Sequence, residues 1–283
     1  MNILSDFTNF IYETNTPGSN KAGSYIRALK YLNVMLHECS PEWKNLGDVF
    51  EVDSIDTLKQ LHKLTLAEAA KGSSSHLAHA NVPPSYLEGG FCAAALHSLI
   101  GYRLALEQDA EMASRLAGAT DPLVVAKTIE QTPLPEPEFF LEGNVNPKSK
   151  EGKDALNRNL AVRNRRIFTR LVLSNFDNAC CLTGLDVPAT LRACLIVSED
   201  RKKAFSPDNA LCLSATYAAA FKEHLISFDE DNRMILSPAL RDHATSEIFH
   251  HTFKTYEGAR MRPAMRFQPS AKLLAIHRER LAS

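Results

Sequence analysis

Three groups of side chains in the second half of this chain have types that do chemistry. Glu199, Asp200 and Asp208 are oxygen donors of the kind that hold hard cations, and Asn209 directly follows the last of them. His224, and then His243, His250 and His251 in RDHATSEIFHHTF, are imidazoles able to serve as bases or metal ligands. Arg158, Arg163, Arg165, Arg166 and Arg170, with Arg201, Lys202 and Lys203 further on, are the residues that meet phosphates. Spacing limits each group. Acids in a polar stretch ordinarily belong to a solvated loop, and a His-His pair in a polar helix ordinarily sits at the surface. Cys194, in ACL, has nothing adjacent to lower its pKa and reads as core. None of the six cysteines forms a C-x-x-C pair, which argues against a zinc knuckle. A chain of 283 residues needs no disulfide staples, so reduced thiols and a cytoplasmic protein are expected. No phosphate-binding glycine loop of the G-x-x-x-x-G-K or G-x-G-x-x-G type is present.

The elements that must position these groups divide the chain in two. In KAGSYIRALKYLNVMLHEC, Tyr25, Ile26, Leu29, Leu32 and Leu36 recur at helical spacing behind Ser19 or Asn20 as a cap. Ile55, Leu58 and Leu61 repeat the pattern, and Gly72 offers a stop. GSSSHLAHANVPP reads as a loop, and helical spacing resumes through Phe91, Leu96, Leu99 and Ile100 after the Gly89-Gly90 break. DPLVVAKTIEQT is a further short helix. Prolines, glycines and charges in QTPLPEPEFFLEGNVNPKSKEGK then predict a linker over 133–150, between a helical domain at 1–132 and a second domain at 151–283. The second domain begins with an arginine-rich amphipathic helix carrying Leu160, Ile167, Phe168, Leu171 and Val172. ACCLTGL, LRACLIV and ALCLS read as strands, ATYAAAF as a short helix, LISFDEDNRMILS as a hairpin around Asp231-Asn232, and the basic tail as a closing helix.

The charge divides likewise. Residues 1–147 carry 10 Lys and Arg against 18 Asp and Glu, a balance of −8, while 148–283 carry 22 against 15, a balance of +7. A basic half points to a polyanion partner or to an acidic protein surface, its own first half included. No apolar run approaches the roughly 20 residues that cross a bilayer, and the first residues show no basic region followed by an apolar core, so neither a membrane partner nor a secretory signal is expected.

VRNRRIFTRLVLSNFDNACCLTGL, LRACLIV, SPDNALCLSATYAAAFKEHLISFDEDNRMILSP and the FQPSAKLLAIHRERLA tail together resemble the HNH endonuclease family, in its restriction-enzyme-like branch without zinc cysteines. The resemblance spans about 160–280. It implies a mainly α N-terminal domain followed by an α+β domain with a ββα-metal core. In that family a strand ends in a histidine that activates water, a loop carries an Asn that orients it, and a helix carries a second histidine that holds a divalent metal. On this chain the family positions fall on Leu195, Asn209 and Tyr217, with Lys222 where an Asp commonly follows the helix Phe. Only Asn209 is kept. Leucine accepts no proton, and a protonated phenol is a poor ligand.

The resemblance with these replacements implies an HNH-like DNA-binding protein without hydrolysis, needing no cofactor. Its phosphate contacts would come from the Arg158–Arg170 helix and from Arg201, Lys202 and Lys203. Two alternatives stay open. One is an active endonuclease of restriction or anti-phage defence with a rearranged site, using Mg²⁺ or another divalent ion on Glu199, Asp200 or Asp208. The other is a regulatory module that binds a protein partner. A homodimer is expected by analogy with nucleases that cut two strands. Tyr25 and Tyr86 lie in similar contexts, but no repeat follows from them.

Overall fold

The computed structural model describes residues 3–14, 20–141, 145–198 and 205–281. The first elements are helices α1 (Ile3–Thr14), α2 (Lys21–Cys39), α3 (Ile55–Ala69), α4 (Pro84–Glu88) and α5 (Phe91–Leu116). Local signals set their ends. The Ser54 hydroxyl accepts from the Thr57 N–H at 3.2 Å and starts α3. Gly90, at φ +72°, makes the left-handed turn that separates α4 from α5. The buried faces of these helices supply Phe7, Ile11, Leu29, Leu58, Leu61 and Leu99 to one core.

The chain falls into two units, 1–111 with 133–163 and 112–132 with 164–283. The boundaries at 111/112 and 163/164 lie inside helices, in α5 and in α7 (Lys150–Asn175). Much of the stretch expected as a linker therefore contributes to the first unit. Leu134, Phe140 and Leu141 are buried. The backbone comes so close to α5 that a Cβ on Gly101 would lie 2.5 Å from the Phe139 carbonyl oxygen. Prolines shape this segment, but its apolar side chains decide where it goes.

In the second unit α6 (Pro122–Gln131) starts on Asp121, whose carboxylate accepts from the Leu123 N–H at 2.8 Å. Met112, Leu116, Val125 and Ile129 pack there with Ile167 and Phe267. The rest of the unit is built from β1 (Leu191–Leu195), β2 (Ala210–Ser214), α8 (Ala215–Lys222), β3 (Ile226–Phe228), β4 (Met234–Leu236), α9 (Pro238–Arg241), α10 (Glu247–Thr252) and α11 (Ala271–Glu279). β1 and β2 pair antiparallel, Leu191 opposite Ser214 and Leu195 opposite Ala210. β3 and β4 form the expected hairpin, turned at Asn232 with φ +58°. ACCLTGL, read as a strand, is a turn. Its Gly184 N–H donates to the Cys180 carbonyl at 2.9 Å, and Cys181 N–H reaches the Cys212 carbonyl at 2.7 Å. Thus the described residues hold a helical N-terminal region and two small sheets in the second unit. No described helix is long and apolar enough to cross a membrane.

Candidate functional site

The site starts from Asn209. It is fully buried in the loop that returns β1 to β2. Its amide donates to the Val197 carbonyl at 2.9 Å, its oxygen accepts the Val197 N–H at 3.0 Å, and its own carbonyl takes the Ile196 N–H at 3.0 Å. Two-way pairing of one side chain with one residue's backbone fixes the exit of β1. The clamp is local, made within one loop by hydrogen bonds that are all buried.

β2 runs directly into α8, which packs on β1 and leaves an open pocket of about 450 Å³ between them. One wall is β1 with the residue after it, giving Cys194, Leu195 and Ile196; the other is one face of α8, with Ala215, Ala218, Ala219 and Lys222. Those helix positions follow i, i+3, i+4, i+7, the spacing that puts side chains on one stripe. His224 and His277 also line the pocket, and Arg192, Lys222 and Arg280 give it its charge. No carboxylate lies among its described lining residues.

Tyr217 is not part of this wall. It faces the other side of α8, ringed by Phe253 and Tyr256, and its hydroxyl donates to the Thr252 carbonyl. Burial, with Tyr256 and Cys180 as neighbours, raises its phenol above the ordinary value. Ala218, one position further on, is among the α8 residues that line the pocket with Leu195. The sequence carried a signal for this: 218 shares a helical face with 215 and 222, and 217 does not.

The end of α8 is unusual. His224 N–H bonds the Phe221 carbonyl at 3.0 Å and Leu225 N–H bonds the Ala220 carbonyl at 2.9 Å, closing a Schellman-type end. The left-handed residue there, at φ +54°, is His224 where glycine is favoured. Its Nδ1 is buried with no hydrogen-bond partner among the described residues. Its ring lies 4.5 Å from that of His277. His277, on α11, stacks on Phe221 with ring centroids 3.8 Å apart. Its Nε2 donates to the Phe221 carbonyl at 3.0 Å, so Nδ1 accepts from the Ser227 hydroxyl at 2.9 Å. Burial is the first cause that lowers its pKa to about 4; the carbonyl opposes this, and His224 and Arg280 add to it. His277 is a neutral, positioned ring. Sequence reading passed over it because only the tertiary fold brings α11 under α8.

The other expected residues scatter. Arg158, Arg165 and Arg170 are exposed on α7, and Arg166 is half-buried. Arg163 is 1 % exposed and donates from Nη1 to the Pro133 carbonyl at 3.1 Å. Asp208 accepts the Ser206 hydroxyl and, through its carbonyl, the Ser270 N–H at 2.9 Å; it does not line the pocket. His243, His250 and His251 are exposed and also lie outside the pocket lining. Burial, then Cys180, pushes the Cys194 thiol up to about 12, although Arg192 opposes the shift. Glu199, Asp200, Arg201, Lys202 and Lys203 lie outside the described residues.

An antiparallel strand pair followed by a helix, enclosing a cation-rimmed pocket, is an arrangement suited to meeting phosphate. Residues 180–229 match the family model described as HNH endonuclease. That stretch holds β1, β2, α8 and β3, and it carries the resemblance to the HNH family and a nuclease-like, DNA-related role. No curated protein and no solved structure matches the chain.

HNH nucleases use a divalent metal, and the described residues do not fit one. Leu195 and Ala218 offer hydrocarbon to the pocket and Lys222 an ammonium. No group of three His, Cys, Asp or Glu side chains among the described residues is placed to hold a metal ion.

Proposed function

We propose that this protein is an HNH-like DNA-binding protein with a ββα core that does not hydrolyse the phosphodiester bond. One observation carries the reading: on the facing walls of the β1–α8 pocket Leu195, Ala218 and Lys222 supply no base and no metal ligand, the lining imidazoles are His224 past the end of α8 and His277 on α11, and the Asn209 clamp is intact. Phosphate contacts come from the exposed Arg158, Arg165 and Arg170 of α7 and from the basic pocket. Arg163 is excluded by its burial. DNA is held as a polyanion, through contacts that are salt-sensitive and largely indifferent to sequence. Pairing of two copies belongs to the same proposal, and light scattering that finds a monomer removes it.

The test is plasmid cleavage with Mg²⁺, Mn²⁺ and Ni²⁺. The native chain is expected to be silent. A Leu195→His/Ala218→His/Lys222→Asp variant is expected to bind Mn²⁺ or Ni²⁺ in a calorimeter and to cut. The same variant with Tyr217→His in place of Ala218→His is expected to do neither, because position 217 faces away from the pocket. Metal-dependent cleavage by the native chain would sink the proposal and make His224 the first residue to replace.

A further inference from the structure

The β1–α8 pocket carries three cations and no carboxylate among its described lining residues, in a site where the resemblance implies a metal. Lys222 ion-pairs with no described acid. Arg192 is held on the strand by Nη1, which donates to the carbonyls of Ala189 at 2.9 Å and Leu191 at 2.8 Å. A guanidinium has five N–H donors, so fixing Nη1 orients the others without exhausting them. Arg280 stands on the same pocket from the end of α11. Between these charges the walls are apolar, from Leu195, Ile196 and the alanines of α8. The size falls within the range of pockets that enclose one small organic ligand and is far too small for a duplex. His224 adds a buried Nδ1 that has no hydrogen-bond partner among the described residues.

We propose that this pocket binds one nucleoside monophosphate unit through its terminal phosphate, without a metal, and that the Lys222 ammonium supplies the positive charge a divalent ion would otherwise bring. A phosphate monoester carries about −1.5 to −2 at neutral pH, which calls for more than one cation, and three line the site. Arginine takes phosphate oxygens in a fork and lysine as a point charge. The apolar walls accept the flat face of the base. The unit can be the phosphorylated end of a DNA strand or a free nucleotide; the chemistry is the same. The choice of a strand as its source rests on the DNA-binding reading above, whereas the pocket itself does not.

The experiment uses the full chain with excess EDTA present. Two labelled thymidine oligonucleotides are titrated, one with a 5′-phosphate and one with a 5′-hydroxyl. Thymidine 5′-monophosphate and thymidine are compared by thermal shift. The phosphorylated strand is expected to bind about tenfold more tightly, the worth of a charge-assisted contact. In a parallel titration without EDTA, Mg²⁺ is expected to change this less than twofold. Lys222→Gln and Arg192→Gln, both at exposed positions and checked for fold by circular dichroism, are expected to erase the difference between the strands while leaving the binding due to α7. Equal binding of the two strands by the native protein overturns the proposal, as does loss of the preference in EDTA. Should neither strand bind while the monophosphate alone raises the melting temperature, the DNA-binding reading fails and the pocket stands as a free-nucleotide site. If the monophosphate also gives no shift, both fail.

Discussion

At the scale of single residues, Asn209 and His277 hold the site and each makes a prediction. Asn209→Ala leaves the buried N–H and carbonyl of Val197 without their partner, so a loss of about 2–3 kcal/mol is expected in chemical denaturation. No change in stability would show that the loop is pinned elsewhere. His277 has a folded-state pKa near 4, below the ordinary value near 6.5. The unfolded chain therefore takes the proton first as pH falls. The stabilisation is fully present above about pH 6.5 and is lost progressively down to about pH 4, at roughly 1.4 kcal/mol per unit over that window. Melting temperatures measured across it should fall less steeply in His277→Asn than in the native chain. Parallel curves would show that His277 does not set the acid limb.

At the scale of elements, α8 and α7 show how a helix sorts its residues. α8 turns Ala215, Ala218 and Lys222 to the pocket and Tyr217 to Phe253, so adjacent positions have unrelated roles. Its left-handed end at His224 costs about 1–2 kcal/mol relative to glycine. His224→Gly is expected to raise stability by about 1 kcal/mol, read by urea denaturation. A decrease would mean that the ring's contact with His277 outweighs the backbone strain. In α7, exposed and buried arginines should separate cleanly. Replacing Arg158, Arg165 or Arg170 by Ala should lower the salt slope of DNA binding by about one each and leave the fold intact. Replacing Arg163 should instead destabilise the protein by several kcal/mol, because its guanidinium is part of a packed interior. An Arg163→Ala protein with native stability would contradict that assignment.

At the scale of the whole molecule, the chain passes between its two units three times, and two of the passages lie inside continuous helices. Helix formation is cooperative along a segment, so α5 and α7 should melt as whole helices. The single tryptophan, Trp43, packs against the core of the first unit, whereas far-UV circular dichroism reports helices everywhere. Coincident urea transitions by the two probes are expected; a tryptophan transition well separated from the dichroism would show that the units unfold independently.

The sequence by itself determined the elements. Helical periodicity, the Gly89-Gly90 break, the Asp231-Asn232 turn and the order of strands and helix around Asn209 were all legible, because local signals encode them. It also determined the family resemblance, which rests on the order of residue types along one stretch. The tertiary structure decided what no local signal carries. It placed Phe140 of a proline-rich segment in a core, made a turn of ACCLTGL, buried Arg163, and brought Arg192, Lys222, His224, His277 and Arg280 to one pocket. It also put Ala218 rather than Tyr217 in the pocket that Leu195 lines. The physical reason is that periodicity fixes which residues share a face, while only the packing of α8 on β1, with α11 against β3, fixes what each face meets.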